Sequence, residues 1–244
     1  MSEENQDDQD LSLIEHLEAL RATLIKCFTS VAVILPFSFF FAPKTLDFLI
    51  GRLVGNNNIT LNYFSPMEVF ILQIKLALLL SLLAAFPYIA KKIWDFLLPA
   101  LYEKERNFIR NIVFSSTLLF VFGVTFCLFV ILPLIINFGM SFASSHIQAV
   151  FGISNIINLA LGLSFTFGLM FQVPLVTHFL IKWDILSYEA ISSKRPYVVV
   201  AILILAALLT PPDIVSQLLL FLPTYLLFEL GLIFSKGTKR DEKV

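Results

Sequence analysis

Six long apolar segments follow one another along the chain, separated by polar stretches. A membrane-spanning helix needs about 20 mostly apolar residues, and most of the segments approach that length. Strands are excluded because an isolated strand leaves its backbone unpaired in lipid, and because the segments lack the alternation of barrel strands. The pattern therefore predicts an all-α polytopic membrane protein with six transmembrane helices. The predicted spans are Leu24–Ala42, Val69–Ala90, Ile112–Pro133, Ile156–Ile181, Tyr197–Leu209 and Ile214–Phe234.

The last two predicted helices are short. Tyr197–Leu209 would rise about 20 Å at about 1.5 Å per residue, whereas the hydrocarbon core of a bilayer is about 30 Å thick. The sixth span is free of charge only between Asp213 and Glu229. We expect this mismatch to be met by a locally thinned membrane or by packing against longer neighbours.

The composition agrees with one membrane domain. Hydrophobic residues make up 58% of the 244 residues and charged residues only 14%, against about 25% charged residues in an average soluble domain. We assign residues 12–235 to a single six-helix domain and residues 236–244 to a cytoplasmic tail. Residues 1–11 are rich in Asp and Glu and contain no Lys or Arg, so we predict a disordered acidic leader there.

Basic residues accumulate on one side of the predicted helices. Of the three loops on the opposite side, two hold no Lys or Arg and the first holds only Lys44 and Arg52. Short cytoplasmic loops of membrane proteins carry an excess of Lys and Arg. With an even number of helices, this asymmetry predicts that both termini are cytoplasmic. The basic stretches are 91–110, 182–196 and 236–244.

Residues suited to catalysis or cofactor binding are not grouped in the sequence. The chain has no GxxxxGK[ST] phosphate-binding loop. Its three histidines lie far apart, without the spacing of metal ligands or of a nucleophile and its base. Cys27 and Cys127 stand alone in apolar stretches, as buried small side chains do. We therefore predict no enzymatic activity, no cofactor and no metal, and we expect no nucleic-acid partner.

Short motifs, in order along the chain, resemble those of one membrane-protein family. Residues 16–21, HLEALR, are similar to the amino-terminal HLxELR motif of the TatC family, and residues 65–70, SPMEVF, match its SPxExF. Residues 94–102, WDFLLPALY, followed by Glu105 and Arg106, resemble its first cytoplasmic loop. The resemblance covers about residues 12–235. The later matches are Arg195-Pro196-Tyr197, the TPPD of residues 210–213 with Ser216 and Gln217, Pro223, and Phe228-Glu229.

The resemblance implies a receptor that recognises folded export cargo through its twin-arginine signal peptide. It also implies an oligomeric complex with single-span partners of the TatA/TatB type and with membrane lipid, and transport driven by the proton-motive force. The expected location is the cytoplasmic (inner) membrane, or the thylakoid membrane of a plastid. The competing hypothesis is a secondary transporter for a small solute, which would need a central site and usually two related halves; no internal repeat is visible.

The resemblance further implies a signal-peptide site on the cytoplasmic side. Paired guanidinium groups are bound best by fixed carboxylates, through charge-assisted and often bidentate hydrogen bonds. Glu105 is the first candidate, with an ordinary loop carboxylate that pairs with Arg106 or Arg110 as the alternative. The predicted signal-peptide-binding residues are Glu18, Arg21, Phe96, Leu101, Glu103, Glu105 and Arg106.

Two positions depart from the family pattern. Ala19 stands where the motif has Glu, and Glu18 is its neighbour, about 100° away around a helix. Gln172 stands where the family commonly has a membrane-buried Glu. An amide can form hydrogen bonds but cannot titrate, so a role that requires a proton on this side chain is excluded.

Polar side chains in or beside the spans form a second candidate set, because ionisable groups in lipid are costly and need a partner. Glu68 and Lys75 are two turns apart on one helical face, and they either pair with each other or contact a partner helix. Asp213 is predicted to cap the sixth helix. Gln172 either joins two helices or forms a polar ledge on which another helix docks. The full set is Glu68, Lys75, Gln172, Asp213, Gln217 and Glu229.

Overall fold

The structure is a computed structural model that describes residues 2–54, 61–97, 106–142, 150–183, 186–209 and 214–241. Side chains are described over residues 14–52, 61–97, 109–142, 150–183, 186–208, 214 and 217–233.

The described chain is almost entirely helical. The helices are α1 (Ser2–Val54), α2 (Pro66–Leu97), α3 (Arg106–Phe126), a π-helix (Cys127–Ile131), α4 (Leu132–Met140), α5 (Ile153–Met170), α6 (Val173–Lys182), α7 (Tyr188–Ser193), α8 (Arg195–Leu209) and α9 (Ile214–Asp241). Two short strands, β1 (Leu61–Asn62) and β2 (Phe151–Gly152), pair in parallel, with Leu61 opposite Phe151.

Six apolar helical stretches are present, as predicted. Four are long enough to cross a membrane, and two are shorter, as the sequence indicated for the last two spans. The six-helix architecture is therefore confirmed. The span boundaries, the leader at 1–11, the tail at 236–244 and the cytoplasmic location of both termini stay predictions. The long stretches are Ile14–Arg52, Pro66–Leu97, Ile109–Met140 and Ile153–Lys182, and the shorter ones are Arg195–Leu208 and Gln217–Ile233.

The fourth predicted span is one apolar stretch whose helix is interrupted near its middle. α5 ends at Met170, and Phe171 and Gln172 form a turn before α6 begins at Val173. Pro174 occupies the start of α6, where its missing N–H costs nothing. The proline thus ends one helix and opens the next, and the turn places the Gln172 side chain at a helix junction.

The third span is continuous but changes its winding. α3 passes into the π-helix at Cys127, and α4 resumes ordinary winding at Leu132, with Pro133 in its first turn. A proline inside a helix removes a backbone donor and its ring crowds the preceding turn. The wider π turn lets the span pass this proline without a break.

The helices pack in a chain of neighbours rather than around one axis. α1 lies on α2, which also contacts α3 and α5, while α9 joins α6 to α8. Fully buried Phe120 and Phe167 mark the centre, where Phe120 stacks on Phe86 with ring centroids 3.8 Å apart. The amino-terminal part of α1 lies beside the carboxyl end of α2, where His16 stacks on Phe96, and the site described next lies between them.

Candidate functional site

A cleft opens between the amino-terminal part of α1 and the carboxyl end of α2. Its volume is about 480 Å³. On one side, His16 stacks on Phe96 with ring centroids 4.6 Å apart and planes inclined by 26°. The cleft is therefore walled by two helices and bounded by aromatic rings. Its lining residues are Glu15, His16, Ala19, Ala22, Thr23, Lys26, Lys92, Asp95 and Phe96.

Charges of both signs face this cleft. Glu15 and Asp95 supply carboxylates from α1 and α2, and Lys26 and Lys92 supply ammonium groups. Lys92 Nζ lies 4.0 Å from Asp95 Oδ2, and it also lies 5.5 Å from the centre of the Tyr88 ring. Among the described residues, the other oxygen of Asp95, Oδ1, is buried without a hydrogen-bond partner. Solvent does not reach that oxygen, so a ligand in the cleft meets only the exposed part of Asp95, which is 17% of its side-chain area.

The predicted signal-peptide residues divide into three groups. Phe96 lines the cleft. Glu18 and Arg21 are exposed on α1 and are absent from the cleft lining. The remaining residues, Leu101, Glu103, Glu105 and the side chain of Arg106, lie outside the described part of the chain, which gives only the start of α3 at Arg106.

The sequence reasoning missed two of the carboxylates in the cleft. Glu15 is four residues before Ala19, so the two positions share one face of α1, and this spacing could have indicated Glu15 from the sequence. Asp95 lies in the WDF segment, but its position opposite α1 depends on how two helices pack. No local pattern reports that contact.

Glu68 fastens the start of α2 to its surroundings. Its Oε2 accepts hydrogen bonds from the backbone N–H of Phe64 at 2.7 Å and of Ser65 at 3.3 Å. Its Oε1 accepts one from the backbone N–H of Ser154 in α5 at 3.1 Å. The carboxylate therefore caps two helix starts at once.

Lys75 has a different partner from the one considered first. Its Nζ donates a hydrogen bond to Asn158 Oδ1 in α5 at 2.8 Å. The alternative in which Lys75 pairs with Glu68 is wrong, because the free N–H groups at two helix starts hold that carboxylate instead. Lys75 and Asn158 are both exposed on the helix bundle.

Gln172 joins α3 to the junction of α5 and α6. Ser116 Oγ donates to Gln172 Oε1 at 2.6 Å, and Gln172 Nε2 donates to the backbone oxygens of Ser116 at 3.1 Å and of Gly168 at 3.4 Å. Ser116 is only 3% exposed. Both ends of the amide are used, so the observed contacts are those of a link between helices.

A cluster of polar side chains links α8 to α9. Arg195 Nη2 donates to Glu229 Oε2 at 3.0 Å, Arg195 Nε lies 2.9 Å from Glu229 Oε1, and Tyr225 Oη donates to Oε1 at 2.9 Å. Further along the same pair of helices, Gln217 Nε2 donates to the backbone oxygen of Leu203 at 3.1 Å. Asp213, the predicted cap of the sixth helix, lies outside the described residues.

The described side chains form no cluster of metal ligands. Within them, no three His, Cys, Asp or Glu residues come together in a way that could hold a metal ion.

Residues 15–223 match the family described as Sec-independent protein translocase protein (TatC). The protein of that name from Haemophilus influenzae is 36% identical over 234 residues, covering 94% of this chain and 90% of that protein. The Escherichia coli K12 protein is 36% identical over 240 residues, covering 94% of this chain and 92% of its own length.

Two solved crystal structures have a fold similar to that of this chain. A crystal structure of the twin arginine translocase receptor TatC superposes with a TM-score of 0.82 at 28% identity, covering 92% of this chain and 99% of that one. A second crystal structure of that receptor, in the detergent DDM, gives a TM-score of 0.81 at 28% identity and covers 90% of this chain and 99% of that one. A match over nearly the whole chain, in sequence and in structure, means that this chain belongs to the TatC family and is a multi-pass membrane component of the Sec-independent, twin-arginine protein translocase.

Proposed function

We propose that this chain is the subunit that receives twin-arginine signal peptides, and that the cleft between α1 and α2 is part of the receiving surface. The cleft is the single observation that carries the proposal, because it combines carboxylates with aromatic rings. Arginine guanidinium groups form charge-assisted hydrogen bonds to carboxylates and stack on aromatic rings. Family membership favours this function over the transport of a small solute.

The proposed surface continues into the loop that follows α2. The predicted residues Leu101, Glu103, Glu105 and Arg106 belong to that loop and to the start of α3, and Phe96 connects them to the cleft in sequence. A signal peptide carries two adjacent guanidinium groups, so a receptor needs more than one acidic contact. We propose that Glu105 provides one contact and that the cleft provides another.

We also propose that the cleft faces the cytoplasm of a cell in which the chain spans the inner membrane, or the stroma if the host is a plastid. The support is the concentration of Lys and Arg at 91–110, 182–196 and 236–244. Labelling of single cysteines placed at Glu189 and at Asn62 tests the orientation, after Cys27 and Cys127 have been replaced. We expect a membrane-impermeant reagent added outside to label position 62 alone; labelling of position 189 alone would reverse the orientation.

Photocrosslinking tests the receptor function directly. A photoreactive residue at Ala22 lies in the cleft, and one at Phe48 lies on an exposed face of the same helix, about 39 Å away along the axis. We expect a precursor with a twin-arginine signal peptide to crosslink from position 22 and not from position 48. A twin-lysine precursor should crosslink much less.

The crosslinking result has a clear contrary outcome. Equal crosslinking of twin-arginine and twin-lysine precursors from position 22 would remove the proposed receptor role of the cleft. Copurification from the same membranes tests the remaining part of the proposal, which is that single-span proteins of the TatA/TatB type assemble with this chain. Purified chain that forms its oligomer with no such partner contradicts that part.

A further inference from the structure

The cleft contains a carboxylate one helical turn from the position where the family motif has one. Glu15 and Ala19 lie on the same face of α1, and both line the cleft. Glu18 is adjacent to Ala19 in sequence, but it points about 100° away around the helix and is not among the lining residues. Ala19 carries no polar side-chain atom, so Glu15 is the carboxylate that α1 presents to the cleft.

We infer that Glu15, with Asp95 opposite it, provides the acidic contact in this cleft for one guanidinium of the signal peptide. This inference rests on the proposed receptor function and assigns the residues that carry it out. The two carboxylates come from different helices and line one cavity, and a planar guanidinium carries several N–H donors for carboxylate oxygens.

The basic residues of the cleft leave Glu15 available. Lys92 is engaged with Asp95 Oδ2 and lies over the Tyr88 ring. Lys26 follows Glu15 by eleven residues, which places it about 16 Å further along α1. Across the described side chains, Glu15 forms no ion pair. Glu15 and Lys26 therefore lie at opposite ends of the α1 side of the cleft.

Asp95 presents part of its side chain to the cleft, with 17% of the side-chain area exposed. Its Oδ1 is buried and has no hydrogen-bond partner within the described part of the chain. Because solvent does not reach Oδ1, a guanidinium in the cleft contacts the exposed part of Asp95, beside Lys92. Lysine has a single ammonium group with no planar fork and satisfies two carboxylates less well. The arrangement therefore favours arginine over lysine.

The adjoining rings add to this preference. The stacked pair of His16 and Phe96 borders the cleft, and a guanidinium plane packs on an aromatic face better than an ammonium group does. Phe96 is next to Asp95 in the chain, so a side chain that reaches Asp95 also passes this ring.

Peptide-binding measurements on the full-length protein in detergent test the assignment. The probe is a fluorescent synthetic peptide with a twin-arginine motif, compared with its twin-lysine counterpart. We expect Glu15→Gln and Asp95→Asn each to weaken twin-arginine binding about tenfold or more, the loss expected for one charge-assisted hydrogen bond. Glu189→Gln, which removes an exposed carboxylate on α7 outside the cleft, should not change binding.

A rescue experiment separates recognition from folding. In the Glu15→Gln background, Ala19→Glu returns a carboxylate to the same helical face one turn away, and we expect it to recover most of the lost binding. Thermal melting of each variant shows whether the protein is intact. Rescue by Ala19→Glu with unchanged melting supports the assignment.

The contrary outcomes are distinct for the two proposals. If the wild-type protein discriminates twin-arginine from twin-lysine peptides but Glu15→Gln binds normally, the assignment fails and the receptor function stands. Equal losses in Glu15→Gln and Glu189→Gln also overturn the assignment, because only a general charge effect would then be at work. If the wild-type protein binds both peptides equally, the receptor function itself fails, and the assignment with it.

Discussion

Replacement of Gln172 by Leu tests the polar link at the centre of the helix bundle. Leu is close in size to Gln but can neither donate nor accept a hydrogen bond, so the change removes all three contacts of the amide. Two of these contacts are short, at 2.6 Å and 3.1 Å, and the third is long at 3.4 Å. The Ser116 hydroxyl, which is buried, loses its acceptor on the neighbouring helix.

The magnitude follows from the number of bonds lost. Interhelical hydrogen bonds in membrane proteins contribute about 0.6 kcal/mol on average, up to about 1.7 kcal/mol. Two good bonds and one weak bond give a loss of about 1–2 kcal/mol of unfolding free energy. The Ser116 hydroxyl can turn to a carbonyl of its own helix, so its penalty stays small. We expect Gln172→Leu to destabilise the protein by this amount and to impair export.

A double-mutant cycle and an export assay measure the two effects. Unfolding free energies of Gln172→Leu, Ser116→Ala and the double variant in bicelles should give a coupling of about 1 kcal/mol between the two side chains. Gln172→Glu is the matched variant. A neutral carboxyl accepts the Ser116 hydroxyl with one oxygen and donates to a backbone oxygen with the other, so we expect it to be tolerated. Wild-type stability and export in Gln172→Leu would refute the reasoning.

Two further predictions concern helix packing and the polar tie between α8 and α9. A Cβ at Gly123 would lie 2.6 Å from the backbone oxygen of Phe167, whereas one at Gly162 would meet nothing within 4 Å. Gly123→Ala should therefore lower the unfolding free energy by about 1–3 kcal/mol. Gly162→Ala should leave the unfolding free energy unchanged or raise it by up to about 1 kcal/mol. Equal effects of the two substitutions would mean that the close contact is absent. Arg195→Lys should lower the melting temperature slightly, because an ammonium group cannot span both oxygens of Glu229. Since the Arg195 side chain is 42% exposed, we expect the unfolding free energy to fall by only about 1 kcal/mol. An unchanged melting temperature would show that the paired geometry does not stabilise the protein.

The six helices could be predicted because the bilayer imposes a length and a polarity on every span. The interruption after Met170 could not be read from hydropathy, since Pro36, Pro87 and Pro223 lie inside unbroken helices. What differs at Pro174 is its packing. A Cβ at Gly231 of α9 would lie 2.8 Å from Pro174 Cα, so a second backbone approaches the chain there. That contact depends on tertiary structure and leaves no local signal.

The polar residues show the same division between local and non-local information. A carboxylate at 68 and an ammonium group at 75 share a helical face, which made a pair between them reasonable. The structure gives them separate partners because Glu68 lies where α2 and α5 begin, and because Asn158 of α5 faces Lys75. Both facts depend on α5 lying against α2. The identity of the polar residues was predictable, and their partners were not.

The positions of the polar ties bear on how the cleft can be studied. The observed interhelical side-chain hydrogen bonds join α2 to α5, α3 to the α5–α6 junction, and α8 to α9. Glu15 and Asp95 belong to none of them. Within the described part of the chain, the ion pair of Asp95 is with Lys92, three residues earlier on the same helix. A change at either carboxylate therefore removes a contact for a ligand and leaves the links between helices in place, so altered peptide binding at these positions reports on recognition rather than on the stability of the bundle.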